Sequence, residues 1–435
     1  MTKKVGLIII LGLSSFLAPA QFKNIRLDEN ASSGVSHPAI AVNLRDRKNI
    51  VAASSPNIIY YTLDEGQTWE KSAVPGDAIG DPVLISDNKG TFYVLHVSGP
   101  TGDDAGKSMN QIVCHISKDG GKTWEEGSPL GLNLPKDQNH PAAALDTKGN
   151  LFVTWTQFDK YGSADSTCQS RIMISSSSSG KKWSKSVELS QQPGSCMDDA
   201  YSAVGGMAAV APDGKIFVSW ANANKIYLDR SFQGGLWLQN DIPVADQKGG
   251  WDFQIPGHEG SNGIPVLMVD QTKGTYQGCI YLVWADQRSG GKDTDVWFIR
   301  SNNHGDNWSS PMKMGSDKNG RHQYLPWMTV DQVTGFIYVV YYDRSEYDDN
   351  QTDVFLSYSN DSGANFKSVK ISEAPFTPVN ENFTANHINI AAHDGIITPV
   401  WSRFENGNAS IWTAVIRQDE LIPPVVPAGK GKKKK

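Results

Sequence analysis

Ser117-Lys118-Asp119-Gly120-Gly121-Lys122-Thr123-Trp124 reads S-x-D-x-G-x-T-W, and the chain repeats it. Thr62 to Trp69 (T-L-D-E-G-Q-T-W) is a second copy. Ser301 to Trp308 carries Asn for Asp, and Ser359 to Phe366 carries Phe for Trp. Ser176 to Trp183 keeps the Ser, Gly and Trp, and a sixth copy around Gly234 and Trp237 keeps only G-x-x-W. The motif glycines are 66, 121, 180, 234, 305 and 363. Their near-regular spacing is the signature of a repeat architecture. The residue types suit a tight turn between two strands. The Asp or Asn accepts hydrogen bonds from backbone N–H groups just beyond it, the glycine supplies a positive φ, and the Trp folds back to bury its ring against the hairpin. This is a structural device.

Between the boxes a three-strand pattern recurs. Unit 1 has Pro38 to Val42, Asn49 to Ala53 and Ile58 to Thr62. Unit 2 has Pro82 to Ile85, Thr91 to His96 and Gln111 to Ile116, and unit 3 has Pro141 to Leu145, Leu151 to Thr156 and Arg171 to Ser175. Units 4 to 7 begin at Met207, Pro265, Pro326 and His387. Turns of the type Asp-x-x-Gly join the first two strands, and each box leads into a short fourth strand, such as Lys71 to Val74. Four strands per unit repeated about an axis predict an all-β fold, a β-propeller of seven four-stranded blades, with six as the alternative. Unit 7 lacks a box and a fourth strand. Phe22 to Asp28 (F-K-N-I-R-L-D) resembles Phe366 to Ser372 (F-K-S-V-K-I-S), so residues 22–28 are expected as the missing outer strand, closing the ring.

The first 20 residues have the form of a signal peptide: Lys3-Lys4, an apolar run from Val5 to Leu13, and Ala18-Pro19-Ala20 as a cleavage site. The run is too short to span a bilayer. The expected organisation is a leader over 1–20, one propeller over 21–420 and a Pro/Lys-rich tail over 421–435, with export to the periplasm, the cell surface or the medium. Without the seven lysines of leader and tail, residues 21–429 carry 33 basic and 46 acidic side chains. That net charge of −13 argues against nucleic acid as a partner. A glycan partner and a monomer are expected instead. Of the cysteines, Cys114 and Cys279 fall in strands of distant units, whereas Cys168 and Cys196 fall in loops on one face and are expected to form a bridge.

The topology sorts the loops. The boxes lie at the bottom, and the long polar loops 97–110, 157–170, 190–203, 245–263, 285–294, 342–352 and 373–386 lie on top, where loop length usually signals function. His37, Asp81, His140 and His387 open innermost strands and should ring the axis as substrate-binding groups. Units 5 to 7 place Asp286 with Arg288, Asp343 with Arg344, and Arg403 with Glu405 at the exit of the second strand. Three arginines there would suit a carboxylate, with Asp or Glu as general acid and Tyr342 or Tyr324 as nucleophile. The differing registers of the arginines favour an alternative, Asp–Arg pairs that tie neighbouring blades. Asp198, Asp199, Asp348 and Asp349 offer oxygens that calcium would accept, but no spacing matches a known calcium loop. His and Cys show no zinc spacing, and no other cofactor is expected.

The boxes, together with Trp284 to Trp308, Tyr338 to Phe366, Trp251-Asp252-Phe253-Gln254-Ile255-Pro256 and Tyr347 to Val354, make residues 30–415 resemble the sialidase superfamily of Asp-box (BNR-repeat) proteins. The resemblance implies a secreted carbohydrate-active propeller that hydrolyses a terminal acidic sugar, as an exo-sialidase does. The chain departs from that family's pattern. The nearest match to its R-I-P motif is Ile25-Arg26-Leu27, in the predicted closing strand, and His37 stands where its arginine is expected. Two further readings stay open: a non-catalytic glycan- or protein-binding propeller, and a polysaccharide lyase using His140, His387 or Tyr324 as base.

Overall fold

The computed structural model describes residues 22–28, 36–55, 57–76, 79–99, 109–232, 236–237, 240–291, 293–315, 320–378, 387–405 and 408–422. The proposed leader, the lysine tail and the box glycine Gly234 lie outside them. The described chain is almost entirely β, arranged as seven four-stranded antiparallel blades in a ring. Blade 1 runs outward from the axis as Ser36–Val42, Ile50–Ser55, Ile58–Thr62 and Glu70–Ser72, and the next five blades repeat that order. Their inner strands are Ile79–Ser86, Asp137–Leu145, Val204–Val210, Val266–Val269 and Gln323–Val330. In blade 4, Ile242–Asp246 also pairs with the third strand, Lys225–Phe232.

Blade 7 is composite. Asn389–His393, Ile396–Glu405 and Asn408–Thr413 come from the C-terminal end of the chain, and Ile25–Arg26 supplies the outer strand. Ile25 pairs with Thr413 and Arg26 with Trp412, as the sequence predicts. Asp28 extends the tie by accepting a hydrogen bond from the Ile411 backbone at 3.0 Å. Asn24 bonds blade 6 through the Ile371 carbonyl and Glu373.

The box turns form as the residue types dictate. Ser117 Oγ accepts from Gly121 N at 2.9 Å while donating to Asp119, which accepts from both N and Oγ of Thr123. The same pattern recurs at Thr62–Thr68, Ser301–Asn307 and Ser359–Asn365. The turn of blade 3 is one residue tighter: Gly180 N bonds Ser177 rather than Ser176.

The box Trp does not fold onto its own hairpin, as the sequence alone suggested. It crosses to the preceding blade. Trp124 donates to Ser72 of blade 1, whose hydroxyl donates to the Gly121 carbonyl, and Trp183 repeats this with Ser128 of blade 2 and Gly180. At blade 6, Gly363 has φ +73°, and a Cβ there would sit 2.4 Å from the ring of Phe298 in blade 5. The core therefore lies in the seams between blades. In the second strands, Trp155, Trp220, Trp284, Tyr341 and Trp401 are fully buried. From blade 4 onward each faces an aromatic partner on the third strand: Tyr227, Trp297, Phe355 and Trp412. Burying such rings supplies most of the stabilisation.

Gly363→Ala should lower stability by about 2–4 kcal/mol, combining a strained φ with a clash into the seam. Urea unfolding measures it, and a loss below about 0.5 kcal/mol would contradict the docking role of the turn.

Candidate functional site

At the top of five inner strands the ladder breaks in a bulge, with one residue at positive φ: His37 (+54°), Gly80 (+83°), His140 (+50°), Gly205 (+68°) and Leu325 (+51°). A side chain other than glycine costs about 1–3 kcal/mol in such a conformation and marks a candidate site. His140 and His387 line one axial cavity of about 280 Å³, with Trp327 and prolines 38, 82 and 141. Gln271 crosses the bottom of the axis, its side-chain amide donating to the carbonyls of Leu145 in blade 3 and Val210 in blade 4. His37 meets His387 edge to face at 5.5 Å, and His387 lies 5.9 Å from Trp327. Three of the four predicted axial groups are thus placed near the cavity mouth. Asp81 lies in its expected strand, but its side chain is outside the described residues.

The arginine side is built differently from the open cluster that sequence reasoning proposed. Tyr324 and Tyr342 are wholly buried, Arg344 is 2% exposed, and Asp286 and Asp343 are buried too. The cause is a hairpin the sequence reading left as loop, Asp252–Ile255 paired with His258–Asn262. Its Phe253 and Ile255 join the core of blades 6 and 7, and His258 meets the edge of Tyr324. Arg344 ties this hairpin down: it donates to the Pro256 carbonyl at 2.7 Å, to Thr352 and to Tyr324. Burial, with Tyr324 beside it, holds the Tyr342 phenol far above its ordinary range, and its hydroxyl bonds both N and O of the Ser402 backbone region. Burial also raises Asp343, and the charge of Asp353 adds to it, against hydrogen bonds from Ser345 and Gln323. Arg288 pairs with Asp286 at 2.6 Å, lies over Trp297 and reaches the Asp246 carbonyl of blade 4. Arg403 lies over Trp412 and donates to the Ala374 and Pro375 carbonyls. Glu405 pairs with Asn408 in the ladder, and its side chain lies outside the described residues. These contacts are those of staples between blades.

The top of blades 3 and 4 instead gathers a cluster from three successive loops. His140 Nε2 bonds Asp198 Oδ1 at 2.9 Å, and Tyr161 Oη donates to Asp198 Oδ2 at 2.8 Å. Trp251 stands edge-on to His140 and donates to the Asp199 carbonyl at 2.7 Å, which brings the adjacent Asp252 to the same place. The cluster holds two carboxylates of opposite tendency. Burial pushes Asp198 up, but His140 and Tyr161 outweigh it and hold the group below the usual carboxylate range. Asp252 is pushed up by burial and by the negative charges of Asp198 and Asp199. The rim is exposed: Tyr201 at 60%, Met197 at 47% and Tyr161 at 37%.

The expected Cys168–Cys196 bridge is present, with Cα atoms 5.6 Å apart, and Cys114 and Cys279 are free. The bridge fastens the loop of Tyr161 to the loop of Asp198, and Gly162 N adds a 2.7 Å bond to the Cys196 carbonyl. Sequence reasoning named His140 and noted Asp198 and Asp199 only as possible calcium ligands. It missed Tyr161, Trp251 and Asp252 as site residues, although the bridge already marked which loops converge. Among the described residues no group of three His, Cys, Asp or Glu side chains is arranged to hold a metal ion. Asp348 faces Arg321, and Asp349 caps its own loop through Gln351. Also among the described residues, no helix is long and apolar enough to cross a membrane.

Fold and site together define a seven-bladed β-propeller with a polar, aromatic-rimmed mouth on its top face. The sequence matches no protein-family model and no curated protein. Solved structures do match. An ulvan lyase of polysaccharide lyase family PL25 aligns with TM-score 0.56 and 13% identity over 91% of this chain and 96% of that one. A GH93 α-L-arabinofuranosidase of Fusarium graminearum aligns with TM-score 0.51 and 14% identity over 92% and 98%. A Hadza microbial sialidase aligns at 0.47 and 13% over 85% and 73%. At these identities the likeness to the lyase and the arabinofuranosidase establishes the fold alone.

Arg344→Ala should lower stability by about 2–4 kcal/mol, because it leaves the buried Thr352 and Tyr324 hydroxyls and the Pro256 carbonyl without this donor. A variant as stable as the parent in urea would return Arg344 to the list of ligand-binding groups.

Proposed function

We propose that this chain acts on glycans as a hydrolase at the top of blades 3 and 4. The observation that carries the reading is the pair of carboxylates with opposed ionisation, Asp198 low and Asp252 raised, beside exposed aromatic rings. Glycoside hydrolysis needs one carboxylate ionised, as nucleophile or base, and one protonated, as acid to the leaving oxygen. Asp198 takes the first role, with Tyr161 hydrogen-bonded to it and His140 holding it in place. Asp252 takes the second. Tyr161 and Tyr201 offer faces on which a sugar ring stacks. The likeness to an arabinofuranosidase and an ulvan lyase supports a carbohydrate substrate.

The narrower expectation, a terminal acidic sugar as in exo-sialidases, calls for cations around the substrate carboxylate. Arg288, Arg344 and Arg403 are committed to carbonyls, a carboxylate and aromatic rings. The negative charges of Asp198 and Asp199 would repel a carboxylate at this site. The reading preferred here is an uncharged sugar at the cleavage point. A second reading, β-elimination by a polysaccharide lyase, draws on the His140–Asp198–Tyr161 chain, which pairs a base with an acid.

Purified protein incubated with neutral and acidic glycans separates these readings. A hydrolase releases reducing sugar without ultraviolet absorbance, and a lyase product absorbs. Asp198→Asn should lower kcat about 10²–10⁴-fold. The rate should fall as pH rises through the elevated pKa of Asp252, because the acid loses its proton, and Asp252→Asn should abolish that limb. Full activity in both variants would overturn the assignment.

A further inference from the structure

Blade 2 contains a histidine pair that the proposed reaction does not use. His96, in Phe92–Ser98, and His115, in Gln111–Ser117, are 3% and 1% exposed. Their Nε2 atoms are 3.0 Å apart. The ring centroids are 5.1 Å apart and the planes differ by 14°. A face-to-face stack would bring the centroids closer than that. The rings therefore meet edge to edge, nearly coplanar, nitrogen against nitrogen.

The outer nitrogens fix the tautomers. His96 Nδ1 lies 3.0 Å from the Val97 carbonyl, and His115 Nδ1 lies 3.1 Å from the Glu125 carbonyl. A carbonyl only accepts, so each Nδ1 carries a hydrogen. In two neutral rings both Nε2 atoms would then present lone pairs to each other, at a distance typical of a hydrogen bond. Neither partner would have a hydrogen to give.

We propose that His96 and His115 form a buried cation site, which holds one proton shared on the line between the two Nε2 atoms. The pair is then one imidazole and one imidazolium, with every ring nitrogen satisfied. By strand alternation both rings lie on the face that Phe92 and Val94 turn towards blade 1. Blade 1 contributes Ala39, Ala41, Val51, Ala53, Ile59 and Val74 to that seam, and Tyr61, whose hydroxyl is bonded to Glu70. From the pair's own blade, Glu126 favours the charged form of His115. The Glu125 carboxylate is turned to Lys118 and Lys181, and the Cys114 thiol is kept neutral by burial. The positive charge is thus enclosed by apolar side chains with one acid nearby. Burial works the other way: with the charge of His115 adding to it and the Val97 carbonyl opposing, it pushes His96 down to about 4, and it pushes His115 down too.

The two causes predict opposite pH behaviour. If the pair holds a proton at neutral pH, its folded-state pKa lies above the unfolded value of about 6.5. Measured against a variant that lacks one of the two rings, its stabilisation is then complete below that value and is lost as pH rises through the folded pKa. If burial alone governs, stability falls as pH drops from about 6.5 towards the folded value. The experiment counts ring protons in the full-length protein at neutral pH by ¹H–¹⁵N correlation. Three protons on the four ring nitrogens are expected, and two would overturn the proposal. His115→Gln supplies the second measurement, because its amide can donate to His96 without a charge. The melting-temperature advantage of the parent over this variant should shrink as pH rises from about 7 to about 9. An advantage that shrinks instead on acidification would overturn the proposal. If the variant does not fold, the proton count on the parent decides alone.

Discussion

Among the described residues, the blades of this molecule are completed by their neighbours. The box turn places a glycine against the preceding blade so closely that a single Cβ would collide with it: Gly66 on Val415, Gly121 on Val51, Gly305 on Leu228 and Gly363 on Phe298. The Asp or Asn and the hydroxyl within the turn satisfy its backbone N–H groups internally, so the turn can enter the seam without burying unpaired donors. Seams of this kind need a closed ring. Gly66 of blade 1 meets blade 7, and Ile25–Arg26 gives blade 7 its outer strand, so the two ends of the chain close the circle twice. A strand that would otherwise be an open edge is covered.

With the bottom face occupied by these turns, the top face is left for variation. The connection after blade 4 folds back as the hairpin over residues 252–262. It covers Tyr324 and Arg344 and makes them internal fasteners. The same connection delivers Trp251 and Asp252 to the other side, where the Cys168–Cys196 bridge holds two further loops. One insertion thus closes one half of the mouth and equips the other. The charge balance follows from that division. The arginines of blades 5 to 7 spend their hydrogen bonds on carbonyls, hydroxyls and the Asp286 carboxylate, and the open half is left with aspartates held at different ionisation by His140, Tyr161 and burial.

Much of this was legible in the sequence. The seven blades, the closing strand and the bridge follow from local rules: turn chemistry repeated at a fixed spacing, alternation in short strands, and loops sorted by strand direction. These are properties of neighbours along the chain. The seam role of Trp124 and Trp183 was not legible, because the hydroxyl that each ring meets belongs to another repeat. The one-residue tightening at Ser177 escaped for a similar reason, since a run of five serines offers more than one register.

The site was legible only in part. Its histidine could be placed at the head of an inner strand, and its loops could be placed on top. What the sequence could not determine is which charged groups face solvent. Arg344 and Asp198 each sit in a polar loop and look alike as letters. One is 2% exposed beneath a hairpin that begins about 90 residues earlier, and the other is bonded to a histidine 58 residues away. Burial, ionisation and partnership depend on atoms brought together from distant segments, so they were decided by the packing of the loops in three dimensions. Periodicity along the chain was enough to determine the ring itself.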